Sequence, residues 1–388
     1  MNILHITSVL PAPVSNKKDE NDILLRLTNE LITNWPDDNH SFIFVIPYSN
    51  LFLSKLKRKW KDYFSLIKAG QYSLNNLTIH VVGVPGFKGD SALRPFFAKL
   101  AYNVLYRKRI RKIADQVRPD LIHAHNMIHN MELAECLRRE NNLRMVVTAR
   151  NINKHALSRL RNRKVRAEKI LTLNRLNTNR CENIPELKEK VVMIPHPIDE
   201  VFFQKNNSFR KLDNIHSLVS VGKLIKLKNL DKVIQALANI EIDFTYTIIG
   251  EGPERIHLQQ LASMCGINEK IKFLGFLPHD KVNQEILKHD IMILPSYPET
   301  LGRVYFEAMA SGLPVIAAKE SGIDGMIEEN VQGFMVNHRS VEEITNAIRK
   351  YFYLSDQEKR TMSESAKLFV GEFTWELTLN KYYKFYHT

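Results

Sequence analysis

Asp290-Ile291-Met292-Ile293-Leu294-Pro295, then Ser296-Tyr297-Pro298-Glu299-Thr300-Leu301-Gly302-Arg303-Val304-Tyr305-Phe306-Glu307, then Ala308-Met309-Ala310-Ser311-Gly312-Leu313-Pro314-Val315-Ile316-Ala317-Ala318, is the stretch that decides the fold. The apolar run 290–295 reads as a buried strand, 302–311 as a helix and 314–318 as a second buried strand. A strand–loop–helix–strand unit of this kind belongs to a parallel sheet, with backbone N–H groups and a helix dipole at the carboxyl end of the strand. Anionic groups bind there, phosphates above all. Glu299 and Glu307 bracket the helix and fall on roughly one face, a little over two turns apart. Two readings of the pair stand side by side: solvated helix charges, or hydroxyl-binding carboxylates beside a phosphate site. The small residues Ala308, Ala310, Ser311 and Gly312 suit a helix pressed close to a sheet, with its polar face in a cleft.

Working outward, strand and helix patterns alternate along the whole chain. In the first half, 2–9, 41–47, 78–84, 120–125 and 144–149 read as strands, and 20–34, 52–68, 91–117, 129–141 and 155–170 as helices. The pattern restarts after residue 215, with strands at 218–222, 246–250, 271–275 and 290–295 and helices at 229–239, 253–265, 279–288 and 302–311. Such alternation predicts α/β architecture with doubly wound parallel sheets. A chain of 388 residues suits two domains. The polar stretch 203–211 is the expected linker, so two Rossmann-like domains, 1–204 and 205–372, are expected to face a central cleft.

The second chemical segment is Leu218-Val219-Ser220-Val221-Gly222-Lys223-Leu224-Ile225-Lys226-Leu227-Lys228-Asn229-Leu230. A strand ends at Gly222, where the absent side chain lets backbone approach a ligand. Lys223 and Lys228 follow before the next helix, and ammonium groups are compact charges suited to phosphate. A solvated basic loop is the alternative; the place at the carboxyl end of a first strand favours a site. Gly250-Glu251-Gly252-Pro253 follows another strand in the same way, as a site or as a simple turn.

Taken in order, these segments resemble the retaining glycosyltransferases of the GT-B fold, family 4 (glycosyl transferases group 1). The likeness rests on Val221-Gly222-Lys223-Leu224 with Lys228-Asn229-Leu230, on Ile248-Ile249-Gly250-Glu251-Gly252-Pro253, on Phe273-Leu274-Gly275-Phe276-Leu277, and on the stretch from Pro295 to Val315. Met193-Ile194-Pro195-His196-Pro197-Ile198-Asp199 resembles the family's interdomain segment, with His196-Pro197 in place of its usual Asn-Gly. The resemblance implies hexosyl transfer with retention from a nucleotide-sugar, UDP- or GDP-linked, which is substrate and not cofactor. Lys223, where the family usually has Arg, and Lys228 would neutralise the donor diphosphate. Backbone at Gly222, Thr300, Leu301 and Gly302 would bind phosphate, Glu307 the ribose hydroxyls, and Glu299 hydroxyls of the transferred sugar. Phe276 and Leu277 would lie against the base. The family needs no metal, and no Asp-x-Asp motif occurs here.

The same resemblance puts the acceptor in the N-terminal domain and sends the terminal helix, 373–388, back to it. Asp120-Leu121-Ile122-His123-Ala124-His125 resembles the family's strand end, which would place His125 near the transferred sugar. Arg150 and Asn151 stand at the next strand end, as acceptor contacts, where the family often has His-Asp or His-Gly. His123, His125 and His129 also admit plainer readings as metal ligands or as core and surface histidines; no carboxylate or Cys completes a metal set, and no metal is expected.

Charge is uneven. Residues 1–194 hold 33 Lys+Arg against 17 Asp+Glu, and residues 195–388 hold 22 against 25, so the first half carries the whole net charge of +13 and more. Lys55, Lys57, Arg58, Lys59 and Lys61 lie among Leu53, Leu56, Trp60, Phe64 and Ile67 at helical spacing, and 107–112 and 159–166 add basic clusters. A basic amphipathic helix suits an anionic membrane surface. An anionic lipid-linked acceptor, or an ordinary packed helix with a solvated face, would explain the same residues. No nucleic-acid-binding motif accompanies the charge, so no nucleic-acid partner is expected. The three Cys are scattered, which fits a reducing cytoplasm. No apolar run is long enough to span a bilayer. The composite expectation is a peripheral enzyme at the inner face of the cytoplasmic membrane, building a bacterial cell-surface polysaccharide such as lipopolysaccharide. A GT-B nucleotide-sugar epimerase and a non-catalytic nucleotide-sugar-binding protein are the alternatives.

Overall fold

The computed structural model describes residues 1–8, 23–48, 65–74, 77–85, 106–125, 129–150, 152, 154–162, 166–203 and 215–388. Asn151, the basic residues Lys55 to Lys61, the cluster positions 163–165 and the linker from residue 204 onward lie outside the described residues. The chain divides into two compact units: Met1–Leu173, Asn177–Ile194 and Leu379–Thr388 form the first, and Asn174–Leu176 with Pro195–Thr378 the second.

The strands of the first unit are β1 (Asn2–Thr7), β2 (Asn39–Tyr48), β3 (Gln71–Leu74), β4 (Leu77–Pro85), β5 (Leu121–His125), β6 (Arg144–Ala149), β7 (Lys169–Thr172) and β8 (Val191–Met193). They form one sheet in the order β3-β4-β2-β1-β5-β6-β7-β8. Only β3 runs antiparallel to its neighbour. Helices α1 (Ile23–Asn34), α2 (Arg107–Val117), α3 (His129–Asn141), α4 (Lys154–Arg161) and α5 (Arg175–Glu182) connect the strands. The side-chain alternation of a strand divides the sheet into two faces. Ile43 and Val45 pack with Ile110, Met131 and Leu137 on one face, while Phe42 and Phe44 pack with Leu24 and Leu25 on the other. Both faces are covered, as an all-parallel region requires.

The second unit holds β9 (His216–Val221), β10 (Phe244–Ile249), β11 (Ile271–Gly275), β12 (Ile291–Leu294), β13 (Val315–Ala318) and β14 (Gly333–Val336), all parallel, in the order β11-β10-β9-β12-β13-β14. Its helices are α6 (Leu230–Leu237), α7 (Arg255–Met264), α8 (His279–Ile286), α9 (Arg303–Ala310), α10 (Val341–Phe352) and α11 (Asp356–Val370). Ser355 and Glu358 close a capping box at the start of α11. The last helix, α12 (Trp375–His387), contributes its residues up to Thr378 to the second unit and those from Leu379 to the first.

One expected helix is corrected. The stretch 155–170 is not continuous: α4 ends at Arg161 and residue 169 already opens β7. Ile170 and Leu171 are fully buried and pair in register with Val147 and Thr148 of β6, so the segment ends as a strand covered on both faces.

Candidate functional site

In each sheet the connections reverse direction at one point, and ligands of doubly wound sheets bind outside the strand ends there. In the second unit that point lies between β9 and β12, whose neighbours continue in opposite directions. The loop after β9 carries Gly222, Lys223 and Lys228; the loop after β12 carries Glu299, Thr300, Leu301 and Gly302. The two loops are tied together by Tyr297 N–H donating to Leu227 O at 2.9 Å and Asn229 Nδ2 donating to Pro295 O at 2.7 Å.

These ties bring the expected cation and carboxylate into contact. Lys228 Nζ sits 2.6 Å from Glu299 Oε2, with both side chains partly exposed. Lys228 also folds over Gly222, its Cε lying 3.5 Å from where a Cβ on Gly222 would stand. Lys223 is exposed, and its ammonium group makes no hydrogen bond or ion pair among the described residues, while its carbonyl accepts from Ile225 N–H at 2.9 Å. Ser296 Oγ donates to Glu299 Oε2 at 3.2 Å, and Thr300 N–H donates to Glu299 Oε1 at 3.2 Å.

Gly302 begins α9 in the left-handed region, at φ 75°, and a Cβ there would run into the Tyr305 ring. Its conformation turns the chain so that α9 starts beside Glu299. Gly250, at φ 137°, is constrained by a neighbour instead: a Cβ would strike the carbonyl oxygen of Gly222. Three strand-end loops therefore close on one another, with Gly222 N–H bonded to Ile249 O at 2.9 Å and Gly250 N–H to Gly275 O at 2.7 Å. Phe276, just beyond Gly275, is 76% exposed and Leu277 is half-buried.

Glu307 is buried on α9, and its environment is richer than the sequence suggested. Its Oε1 lies 3.2 Å from His279 Nε2 and 3.3 Å from Arg303 Nη2. His279 Nδ1 is in turn 3.4 Å from Asp199 Oδ2, and Asp199 Oδ1 accepts from Trp375 Nε1 at 2.9 Å. The hydrogen bond to Glu307 raises the His279 pKa above its ordinary value. None of Asp199, His279, Arg303 and Trp375 was marked from sequence as a partner of Glu307. Arg303, four residues before Glu307 on the same helix, is the one member whose spacing could have signalled it. Ser321 was missed too: its hydroxyl donates to Ser296 O at 2.9 Å and accepts from Glu299 N–H at 3.1 Å, fixing the Glu299 loop from the end of β13.

In the first unit the sheet reverses between β1 and β5. His5 on β1 lies in register with Phe42 on one side and His123 on the other. His40 and His125 are two residues away on those neighbouring strands, so all four imidazoles share a face. His5 Nδ1 lies 2.9 Å from His125 Nε2, and His5 Nε2 lies 2.8 Å from His40 Nδ1. His123 bonds Tyr386 OH at 2.8 Å and Thr148 Oγ1 at 2.7 Å. Burial lowers every one of these pKa values: His40 to about 4, His123 to about 3, and His5 and His125 well below the usual imidazole range. The expected site residue His125 is thus an almost fully buried member of a neutral cluster. Ring nitrogens of His5, His123 and His125 come within 4.8 Å of one another, close enough for a metal ion, yet both nitrogens of His5 and of His123 are already hydrogen-bonded. Arg150 follows β6 half-buried, with its carbonyl accepting from Asn177 Nδ2 at 2.9 Å and its own Nε unpartnered.

Residues 202–369 match the family described as Glycosyl transferases group 1. N-acetyl-alpha-D-glucosaminyl L-malate synthase of Bacillus anthracis is 31% identical over 175 residues, 44% of this chain and 45% of that protein. The lipopolysaccharide core biosynthesis glycosyltransferase LpsE of Rhizobium meliloti is 25% identical over 165 residues, 42% of this chain and 48% of that protein. The chain spans about half or less of the length of the curated relatives it matches. Among solved structures, the lipopolysaccharide outer core galactosyltransferase WaaB in its apo form superposes with a TM-score of 0.71 at 14% identity, covering 100% of this chain and 99% of that one. Anabaena HepE in complex with UDP gives a TM-score of 0.71 at 18% identity, covering 99% of each chain. At such identities the likeness shows the fold, which is GT-B with two Rossmann-like domains. Over residues 202–369, then, the chain is similar to the family described as Glycosyl transferases group 1, on a GT-B fold.

Proposed function

We propose that the protein is a retaining glycosyltransferase that moves a hexosyl unit from a UDP- or GDP-linked donor to a glycan or lipid-linked acceptor. The observation that carries this reading is the Lys228–Glu299 pair, 2.6 Å apart at the reversal point of the second sheet, beside the start of α9. Breaking the anomeric C–O bond leaves negative charge on the donor diphosphate and positive charge on the sugar. Lys228, exposed Lys223 and the amides of Thr300, Leu301 and Gly302 stabilise the diphosphate as that charge develops. Glu299, held by Ser296 and by the Ser321-anchored loop, takes hydroxyls of the transferred sugar. Among the described residues both ion-pair contacts of the Glu307 carboxylate fall on Oε1, and Oε2 takes the ribose hydroxyls. Exposed Phe276 offers the base an apolar face. With retention, the acceptor attacks from the leaving-group side and a donor phosphate oxygen takes its proton, so neither glutamate serves as general acid or base. Pre-placed ammonium groups and amides stand in for a metal, and transfer is metal-independent.

The setting we infer is assembly of a bacterial cell-surface polysaccharide at the inner face of the cytoplasmic membrane. Support comes from the charge of residues 1–194 and from α2, which buries Ile110, Ile113 and Ala114 and exposes Lys108 and Lys112. Arg107 and Arg111 on the same helix are paired with Glu140, so the helix offers less free charge than its sequence. No helix among the described residues is long and apolar enough to cross a membrane. The test is a panel of UDP- and GDP-sugars: a stabilising shift with one of them, and transfer to a lipid-linked acceptor with the anomeric configuration kept, is expected. Interconversion of the sugar without acceptor, or binding without any turnover, would overturn the reading.

A further inference from the structure

The clustered histidines of the first unit, His5, His40, His123 and His125, belong to no role assigned above except that of His125, and their hydrogen bonds impose a direction. A neutral imidazole has one N–H and one bare nitrogen, so the bond made by one nitrogen decides the proton on the other. His5 uses both nitrogens, one toward His125 and one toward His40. It can donate to only one of them. The three rings therefore share two concerted arrangements. In one, protons point from His40 through His5 to His125; in the other, from His125 through His5 to His40. The outer nitrogens, Nδ1 of His125 and Nε2 of His40, make no hydrogen bond to any described residue, which leaves each end of the chain for a further partner.

Fixed charges select between the arrangements. Arg150 acts on His125 and on His123, while Asp38 is the charge that acts most strongly on His40, ahead of the opposing N-terminal ammonium and His387. A cation near one end and an anion near the other orient the N–H dipoles away from Arg150 and toward Asp38. Tyr386 stands edge-on to His5 and His40 and bonds His123, which keeps His123 outside the chain.

We propose that His5 and His40 are positioning residues that fix the tautomer of His125, with its proton on Nε2 and a bare Nδ1 presented at the carboxyl end of β5. The group this offers is a neutral hydrogen-bond acceptor for a hydroxyl, such as that of a sugar. The inference rests on the glycosyltransferase reading only for the identity of that hydroxyl; the chain itself is a property of the folded first unit.

The test is nitrogen NMR of the full chain labelled at histidine, since protonated and bare ring nitrogens resonate far apart. At pH 7 the expected result is Nε2–H on His5, His40 and His125 alike. A proton on His125 Nδ1, or a doubly protonated His125, overturns the proposal. His40→Phe removes the acceptor for His5 Nε2–H without touching His125, and the proton of His125 is then expected to move toward Nδ1; an unchanged His125 overturns the chain. A zinc titration that moves the His5, His123 and His125 signals at stoichiometric metal also overturns it, because an ion takes the lone pairs the chain uses. In transfer assays, His40→Phe should lower kcat about tenfold with KM unchanged, on the scale of one lost hydrogen bond. A tautomer change with kcat unaltered keeps the chain and removes His125 from the transfer step, so the two readings fail separately.

Discussion

Acid should loosen the first unit, and His40→Gln should measure how much of that is due to one histidine. An unfolded histidine titrates near pH 6.5. In the fold, burial holds His40 at about 4 and His123 at about 3. A folded-state pKa below the unfolded one means that the stabilising effect is fully present above about pH 6.5 and is lost as the pH falls toward the folded values. At pH 5 both rings remain neutral in the fold while their unfolded counterparts bind protons. Over about 1.5 pH units at about 1.36 kcal/mol per unit, each contributes a loss of about 2 kcal/mol. His40 and His123 together make that about 4 kcal/mol, a large part of the ~5–15 kcal/mol typical of a folded domain. The assay is native-state hydrogen exchange of the amides of β1 and β5, at pH 7 and pH 5 with intrinsic rates corrected. His40→Gln should lose about 2 kcal/mol less than the parent protein between the two pH values. Equal losses in the two proteins would refute the claim that His40 is held neutral by the fold.

Further outcomes follow from the second unit. Gly302→Ala should lower stability by ~1–3 kcal/mol, because its φ of 75° and the Tyr305 ring leave no room for a methyl group; a thermal midpoint within error of the parent would count against the cap. Ser321→Ala leaves Glu299 N–H and Ser296 O without their partner and should cost about 1–3 kcal/mol, read as a lower thermal midpoint together with a raised KM for donor. His279 has a raised folded pKa, so its contribution is fully present below about pH 6.5 and fades as the pH rises through the folded value. His279→Gln should flatten that part of the stability profile, and an unchanged alkaline slope would remove the Glu307 contact as its cause.

Much of this was legible in the sequence because parallel strands buried on both faces announce themselves as apolar runs. The β5 and β6 strands and the central strands of the second unit fall within a residue or two of their expected bounds. The short strands β3, β7, β8 and β14 were not expected, since runs of three or four residues carry too little period to separate strand from helix. Lys228 and Glu299 could be expected at one cleft because each follows a strand of the same sheet, while their direct contact comes only with the fold. The Glu307 environment could not: Asp199, His279 and Trp375 reach it from three distant segments, and only packing brings them together. The histidine chain is of the same kind. His123 and His125 share a face by strand alternation, which is readable locally, but His5 and His40 join them through the register of β2, β1 and β5.

The central claim is that Lys228 carries part of the charge that develops on a donor diphosphate. Turnover of Lys228→Ala with the nucleotide-sugar picked out by the binding panel, against circular dichroism as a check on the fold, tests it most directly. The account predicts an unaltered spectrum and a fall in kcat of about 10²–10³, the scale for losing one pre-placed partner of a developing charge. Turnover equal to that of the parent protein would contradict it.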